Sequence, residues 1–308
     1  MKKIILAAFG VLTLAIRAEL TAEQRTIPLE ADSADPKLAK IILLAGGPSN
    51  KAGQHEYFAG CALMADWLKQ NGAVWPVIAA DGWPKDERIF EGARAVVVFA
   101  DGGPKLPFLD AARWAKMESL IAKGTGFVML HQAVDVPEAN APKIQEWLGG
   151  AWTKDIGCRG HWDMEFTPTV KHAILNGVEP FAAPLDGWLF NLHFAKGAEP
   201  ILAGAVPDKA RTTADAKANP GRAEVVAWAH TRADGGRAFA FTGCDLHKNW
   251  QVESQRRLVI NGILWSANID IPTTGAKVSM DPASLTKYWD AKPTPAPKPP
   301  TAPKPEAN

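Results

Sequence analysis

Reactive side chains follow closely on apolar runs of this 308-residue chain. His55 and Glu56 come after the run 40–45, Asp101 after 95–100, His131 directly after 127–130, and Asp245 and His247 after 237–242. Histidine gives and takes protons near neutral pH. Neutral imidazole and carboxylate are also ordinary ligands for zinc, manganese or iron. These types support acid–base catalysis by His55, Glu56, His131 and His247, with or without one divalent metal, zinc or manganese. His131, His161, Asp245 and His247 are the candidate ligands. The spacing is not diagnostic, because no H-E-x-x-H occurs. Asp245, His193 and Trp250 are candidates for holding a substrate. Trp is considered because twelve Trp stand against two Tyr, and an indole face can stack on a sugar ring.

Each residue also has a structural reading. His55-Glu56 can open a helix, where a carboxylate complements the dipole. His131 can be a satisfied core histidine. Asp101, in Asp-Gly-Gly-Pro, reads most simply as a turn residue, and Asp245-Leu246-His247 as a polar loop. His161, His172 and His193, taken singly, read as structural, and His172 stays so.

Other chemistries find less support. His131 lies at a strand-to-helix turn, where hydrolases of α/β type carry their nucleophile. The run GTGFVMLHQAV has no Ser or Cys there, and G-x-S-x-G is absent. The loop AGGPSNKAG matches neither glycine-rich phosphate pattern. A net charge of +1, from 34 basic and 33 acidic residues, gives no electrostatic footprint for nucleic acid. Cys61, Cys158 and Cys244 fit no C-x-x-C motif and read as small buried residues, with one disulfide open.

The elements that must position these residues alternate. Apolar runs at 40–45, 74–79, 95–100 and 127–130 are separated by helical patterns, including 58–68 and 108–123. Continuous apolar runs are expected where both sheet faces are covered, and strand–helix alternation implies right-handed β-α-β units. The fold class expected is α/β, three layers with a mostly parallel central sheet. Ligands in such sheets sit outside the carboxyl ends of the strands. Further strands are expected at 161–167, 187–194, 200–206, 223–229 and 237–242, an exposed loop at 207–222, and a last helix at about 252–267.

Lys2, Lys3 and the apolar stretch 4–16 read as a signal peptide over 1–18. The stretch is shorter than the ~20 residues a membrane span needs. Export to the periplasm or medium is expected, without stable membrane insertion. Residues 19–38 read as a linker, 39–270 as the α/β domain, 271–290 as a C-terminal extension and 291–308 as a Pro-rich disordered tail.

The runs SNKAGQHEYFAG (49–60), MLHQAVDVP (129–137) and FTGCDLHKNW (241–250), with KHAILNGVEPF and LDGWLFNLHF between them, resemble motifs of ThuA-like (trehalose-utilisation) domains. The order matches over roughly residues 38–270. The resemblance implies a flavodoxin-like fold similar to class I glutamine amidotransferases, without their Cys-His machinery. It also implies a place in sugar catabolism beside enzymes that oxidise glycosides at C3 and process keto-sugars. His55, Glu56, His131, His193 and His247 stand at matching positions. The departures are Asn50 for a His, Ala173 for a Pro, Gly187 for an acid and Asp245 for a His. The expected function is an exported acid–base isomerase, hydratase or lyase acting on a glycoside or 3-keto-sugar. A non-catalytic carbohydrate-binding or scaffold protein is the alternative. Acyl transfer of the hydrolase or amidotransferase type would need Cys158 or Cys244 at the elbow.

Overall fold

The computed structural model describes residues 19–292. The expected signal peptide, and residues 293–308 of the expected tail, lie outside the described residues.

The first half follows the apolar pattern. Strands β1 (Ala39–Ala45), β2 (Val74–Ala79), β3 (Ala95–Phe99) and β4 (Gly126–Leu130) alternate with helices α1 (Tyr57–Lys69) and α2 (Ala111–Ala122). Asp110 begins α2, its carboxylate accepting the Arg113 backbone N–H at 3.0 Å; such a cap satisfies an otherwise orphaned helix donor. Helix α3 (Ala141–Leu148) ends at Gly149 with φ 84°, a conformation glycine adopts without penalty. The second half adds β5 (Gly150–Ala151), β6 (Cys158–Phe166), β7 (Phe181–Phe190), β8 (His193–Phe194), β9 (Ala198–Gly204), the short α4 (Ala214–Lys217), β10 (Glu224–Thr231), β11 (Arg237–Phe241) and α5 (Glu253–Ser266).

Seven strands form the central sheet in the order β2-β1-β3-β4-β11-β10-β9. The pairs from β2 to β11 are parallel, and β10 with β9 adds an antiparallel edge. Successive strand residues face opposite sides. Ile41, Leu43 and Ala45 of β1 therefore pack with α1 and α5, and Ile42 and Leu44 with α2 and α3. The expected three-layer α/β/α class is the one found.

Three expectations change. The strand placed at 187–194 starts at Phe181 and stops at Phe190, because Asn191 at φ 58° turns the chain before β8. It pairs with β6 as an antiparallel ribbon outside the main sheet. The segment 207–222 is not simply exposed: Arg211 is buried, and its guanidinium contacts Glu224 at 2.5 Å. Residues 19–38 do not hang free, since Leu20, Ile27 and Leu29 pack on the core and Gln24 is buried. The three cysteines are buried and free, so the disulfide left open does not form. Among the described residues no helix is long and apolar enough to cross a membrane.

Candidate functional site

Four chain segments meet at the carboxyl ends of β1, β3, β4 and β11. The β1–α1 loop carries Ser49, Gln54 and His55. Asp101 follows β3, His131 follows β4, and the segment after β11 carries Asp245. Gln54 and Leu246 form an antiparallel bridge. The His55 N–H donates to the Asp245 carbonyl at 3.2 Å, and the His247 N–H to the Gly53 carbonyl at 2.9 Å. This pairing sets His55 beside Asp245.

The backbone here is forced. His55 (φ 48°), His131 (φ 53°), Cys244 (φ 77°) and Asn50 (φ 59°) are all left-handed without being glycine. Each such residue costs on the order of 1–3 kcal/mol and persists only where surrounding structure holds it. Asp186 of β7 is part of what holds Cys244. Fully buried, its carboxylate accepts the backbone N–H groups of Cys244 at 3.0 Å and Leu246 at 2.9 Å. Burial pushes this acid up to about 6, against those two donors.

The centre of the site is a triangle of ligand atoms. His55 Nε2 and His131 Nε2 are 3.1 Å apart. Asp245 Oδ1 lies 3.4 Å from the first and 3.7 Å from the second. All three residues are buried. Behind the triangle, His131 Nδ1 is 3.0 Å from the Thr242 carbonyl. A carbonyl only accepts, so Nδ1 carries the proton and a neutral His131 presents a bare Nε2. Burial pushes His131 down to about 4, with Asp245 opposing, so the neutral form prevails at neutral pH.

His55 Nδ1 meets Asp101 Oδ1 at 3.1 Å and Ser49 Oγ at 2.9 Å. Ser49 Oγ also donates to that carboxylate oxygen at 2.8 Å, as does the Tyr57 hydroxyl at 2.8 Å. Ser49 has one proton to give, so Nδ1 of His55 is itself the donor and its neutral form also leaves Nε2 bare. Burial pushes Asp101 up, but the hydrogen bonds from His55, Ser49 and Tyr57 outweigh it and hold the carboxyl well below the usual range. The other oxygen of Asp245, Oδ2, accepts from His161 Nε2 at 2.6 Å and from Gln54 Nε2 at 3.0 Å.

The triangle opens on a cavity of about 290 Å³ under the β6–β7 ribbon. Asn50, Gln132, Arg159, His161 and Trp188 line it together with the triangle. The Arg159 guanidinium lies 4.3 Å from the centre of the Trp152 ring, and it pairs with Asp135 at 3.4 Å. Gly187 abuts the site: a Cβ there would lie 2.4 Å from Asp245 Oδ2.

The sequence-derived candidates divide. His55, His131, His161 and Asp245 come together. Glu56 does not join them. Its carboxylate accepts the N–H groups of Gly53 at 2.8 Å and Asp290 at 2.9 Å and pairs with Lys292 Nζ at 3.1 Å, so it is no free base at the cavity. His247 is corrected as a ligand and as a catalytic group, since its Nε2 donates to the Leu285 carbonyl at 2.7 Å on the far side of the loop. His193 pairs with Asp155 at 3.1 Å and does not line the cavity. Trp250 offers no stacking face, being fully buried against Trp67 and Phe99. Trp188 lines the cavity, but at 1% exposed it offers no open stacking face either. Asp101, read as a turn residue, is the acceptor that orients His55. Ser49, Gln54, Tyr57 and Asp186 were not singled out. The first three fall in the run 49–60, and Asp101 ends a strand as His131 does; that position was the available signal.

A family model described as trehalose utilisation, ThuA, matches residues 49–266. Two solved structures are similar over most of their length. A ThuA-like protein from Bacteroides uniformis ATCC 8492 is 13% identical, with a TM-score of 0.56, over 78% of this chain and 95% of that one. A ThuA-like protein from Parabacteroides merdae ATCC 43184 is 14% identical, with a TM-score of 0.56, over 77% and 92%. A glutamine amidotransferase from Thermotoga maritima matches at 13% identity and a TM-score of 0.41, over 75% and 96%. No curated protein matches the chain.

Proposed function

Because the chain belongs to the ThuA family, we propose that it is an acid–base enzyme of sugar metabolism: an isomerase, hydratase or lyase acting on a glycoside or 3-keto-sugar. The reaction is proton transfer beside a carbonyl. The observation that carries this reading is the His161–Asp245 pair, 2.6 Å apart at the wall of the cavity. A carboxylate accepts, so in neutral His161 the proton sits on Nε2 and Nδ1 is the bare base. Asp245 fixes that tautomer and stabilises the imidazolium formed when Nδ1 takes the substrate proton, as in an oriented His–Asp pair. The His161 side chain is 54% exposed, which leaves it open to a ligand. Asn50, Gln132 and Arg159 supply polar contacts suited to sugar hydroxyls, and Trp188 an apolar wall. Export belongs to the same proposal and rests on the pattern of residues 1–18; fractionation of cells making the full chain checks it.

The test uses α,α-trehalose and its 3-keto derivative, with product followed by NMR in D₂O. Loss of a positioned acid–base group lowers rate by roughly 100- to 10,000-fold. His161→Ala is expected to fall in that range, both in turnover and in deuterium exchange at the carbon beside the carbonyl. Equal exchange by wild type and variant removes His161 from the mechanism. Saturable binding of either sugar with neither exchange nor product would favour a carbohydrate-binding protein instead.

A further inference from the structure

We infer that His55, His131 and Asp245 bind one divalent transition-metal ion through His55 Nε2, His131 Nε2 and Asp245 Oδ1. The inference deepens the reading above at the same cavity, but it stands on the donor geometry alone and not on the sugar.

Three acceptor atoms converge, all within 4.8 Å of one another. Each imidazole is turned by a partner on its Nδ1, the Thr242 carbonyl for His131 and Asp101 for His55. With those protons on Nδ1, a ring that carries no second proton presents a lone pair at Nε2, and the two Nε2 atoms face each other across 3.1 Å. Asp245 is 2% exposed, and its Oδ1 has no hydrogen-bond partner among the described residues. A buried carboxylate oxygen without a donor is costly unless a cation answers it. A single proton between the two nitrogens would answer one edge of the triangle and leave Oδ1 bare.

The edges have the size a metal requires. Two ligands each ~2.1 Å from one ion lie ~3.0 Å apart at a right angle and ~3.4 Å apart at the tetrahedral angle. Two of the observed edges, 3.1 and 3.4 Å, fall in that range, and the third, 3.7 Å, asks for a somewhat wider angle at the ion. The outer partners also fit. Metal-bound histidines usually donate their second ring N–H to a carbonyl or carboxylate, which fixes the ring and its tautomer. Asp245 is oriented through its other oxygen by His161 and Gln54. Two imidazoles and one carboxylate suit zinc, manganese or iron(II), whereas calcium and magnesium prefer oxygen donors throughout. Three protein ligands leave positions open, and the triangle faces the cavity, as a catalytic rather than a closed structural site requires. The donor set differs from the one expected from sequence: His55 enters, His161 supports from outside, and His247 is excluded.

The test is elemental analysis of the full-length protein after separate loading with Zn²⁺, Mn²⁺ and anaerobic Fe²⁺ and removal of free metal. About one equivalent of at least one metal is expected. His131→Ala and Asp245→Ala are expected to lower the content tenfold or more, while His247→Gln and His193→Ala keep it. Should the first two variants fold poorly, Co²⁺ added to the wild type reads the same site. It is expected to show visible d–d absorption without a sulfur charge-transfer band. Wild type that retains none of the metals and gives no Co²⁺ spectrum overturns the inference, whatever its activity toward sugars. So does loss of metal in His247→Gln alone. Stoichiometric metal with no sugar turnover and no exchange overturns the proposed function and leaves the metal site standing.

Discussion

His55 and Glu56 are adjacent in sequence, and Asp245 and His247 nearly so, yet the fold splits both pairs. His55 and Asp245 point to the front, where bare acceptors converge on a cavity. Glu56 and His247 point to the back, where the C-terminal segment closes over them. There Glu56 holds two backbone N–H groups and the Lys292 ammonium, and His247 is bonded to Leu285, its ring edge-on to Trp289. Gln24 from the N-terminal segment bonds the Tyr288 carbonyl at 3.0 Å and so ties the far end of this closure. The two regions use the same residue types. The back spends its charges on one another and holds the loop. It leaves single buried atoms unmatched, His247 Nδ1 and Asp290 Oδ2, whereas the front brings three acceptor atoms together at the edge of one cavity.

Breaking the back should therefore cost stability. The Glu56 and Lys292 side chains are 0% and 2% exposed. Lys292 Nζ also donates to the carbonyls of Gln54 and His55. Removing one partner of a buried pair leaves the other charge unanswered, at about 3–5 kcal/mol. Lys292→Met and Glu56→Gln are each expected to lose that much in urea unfolding, and the double variant less than the sum. Single variants as stable as wild type would mean that the closure is no lock.

The back also answers to pH in a stated direction. Burial lowers His247 from the ordinary 6.5 to about 4, with the Leu285 carbonyl opposing. As pH falls below 6.5 the unfolded chain takes up a proton that the folded chain refuses until about pH 4. Stability is thus lost on acidification across that window, by up to about 3 kcal/mol. Asp186 and Asp290, both raised to about 6 by burial, work the other way, since their stabilisation is present in acid and lost as pH rises through 6. Comparing His247→Gln with wild type at pH 7 and pH 4.5 isolates the histidine. The variant should lose less on acidification, and parallel losses would contradict the assignment.

The split also explains what could be read in the sequence. Strands β1, β3 and β4 were legible because both their faces are buried and their runs are uninterrupted. His131 was legible because it follows β4 without a gap. Which side Glu56 and His247 face was not, because that depends on the bridge between Gln54 and Leu246, some 190 residues apart in the chain. Lys292 fell in a stretch whose composition reads as tail. Gly187 and Asp245 were read as two separate departures from the ThuA pattern. In space they are one, because Asp245 occupies the room that a side chain at 187 would need.

At the front, loss of a supporting partner should cost binding more than fold. Asp101 accepts from Ser49, Tyr57 and His55, and from Lys105 at 3.2 Å. Asp101→Asn keeps the shape but turns one acceptor oxygen into a donor. His55 can then be bonded with its proton on either nitrogen, and a proton on Nε2 would block the proposed ligand atom. Outer partners of this kind are worth roughly 10- to 100-fold in metal affinity. That loss is expected by competition with a chelator, with the urea midpoint displaced far less than in Lys292→Met. Unchanged affinity would mean that Asp101 does not orient His55. A collapse in stability equal to that of the back would mean that front and back are one structural unit, and the bare acceptors would then need another explanation.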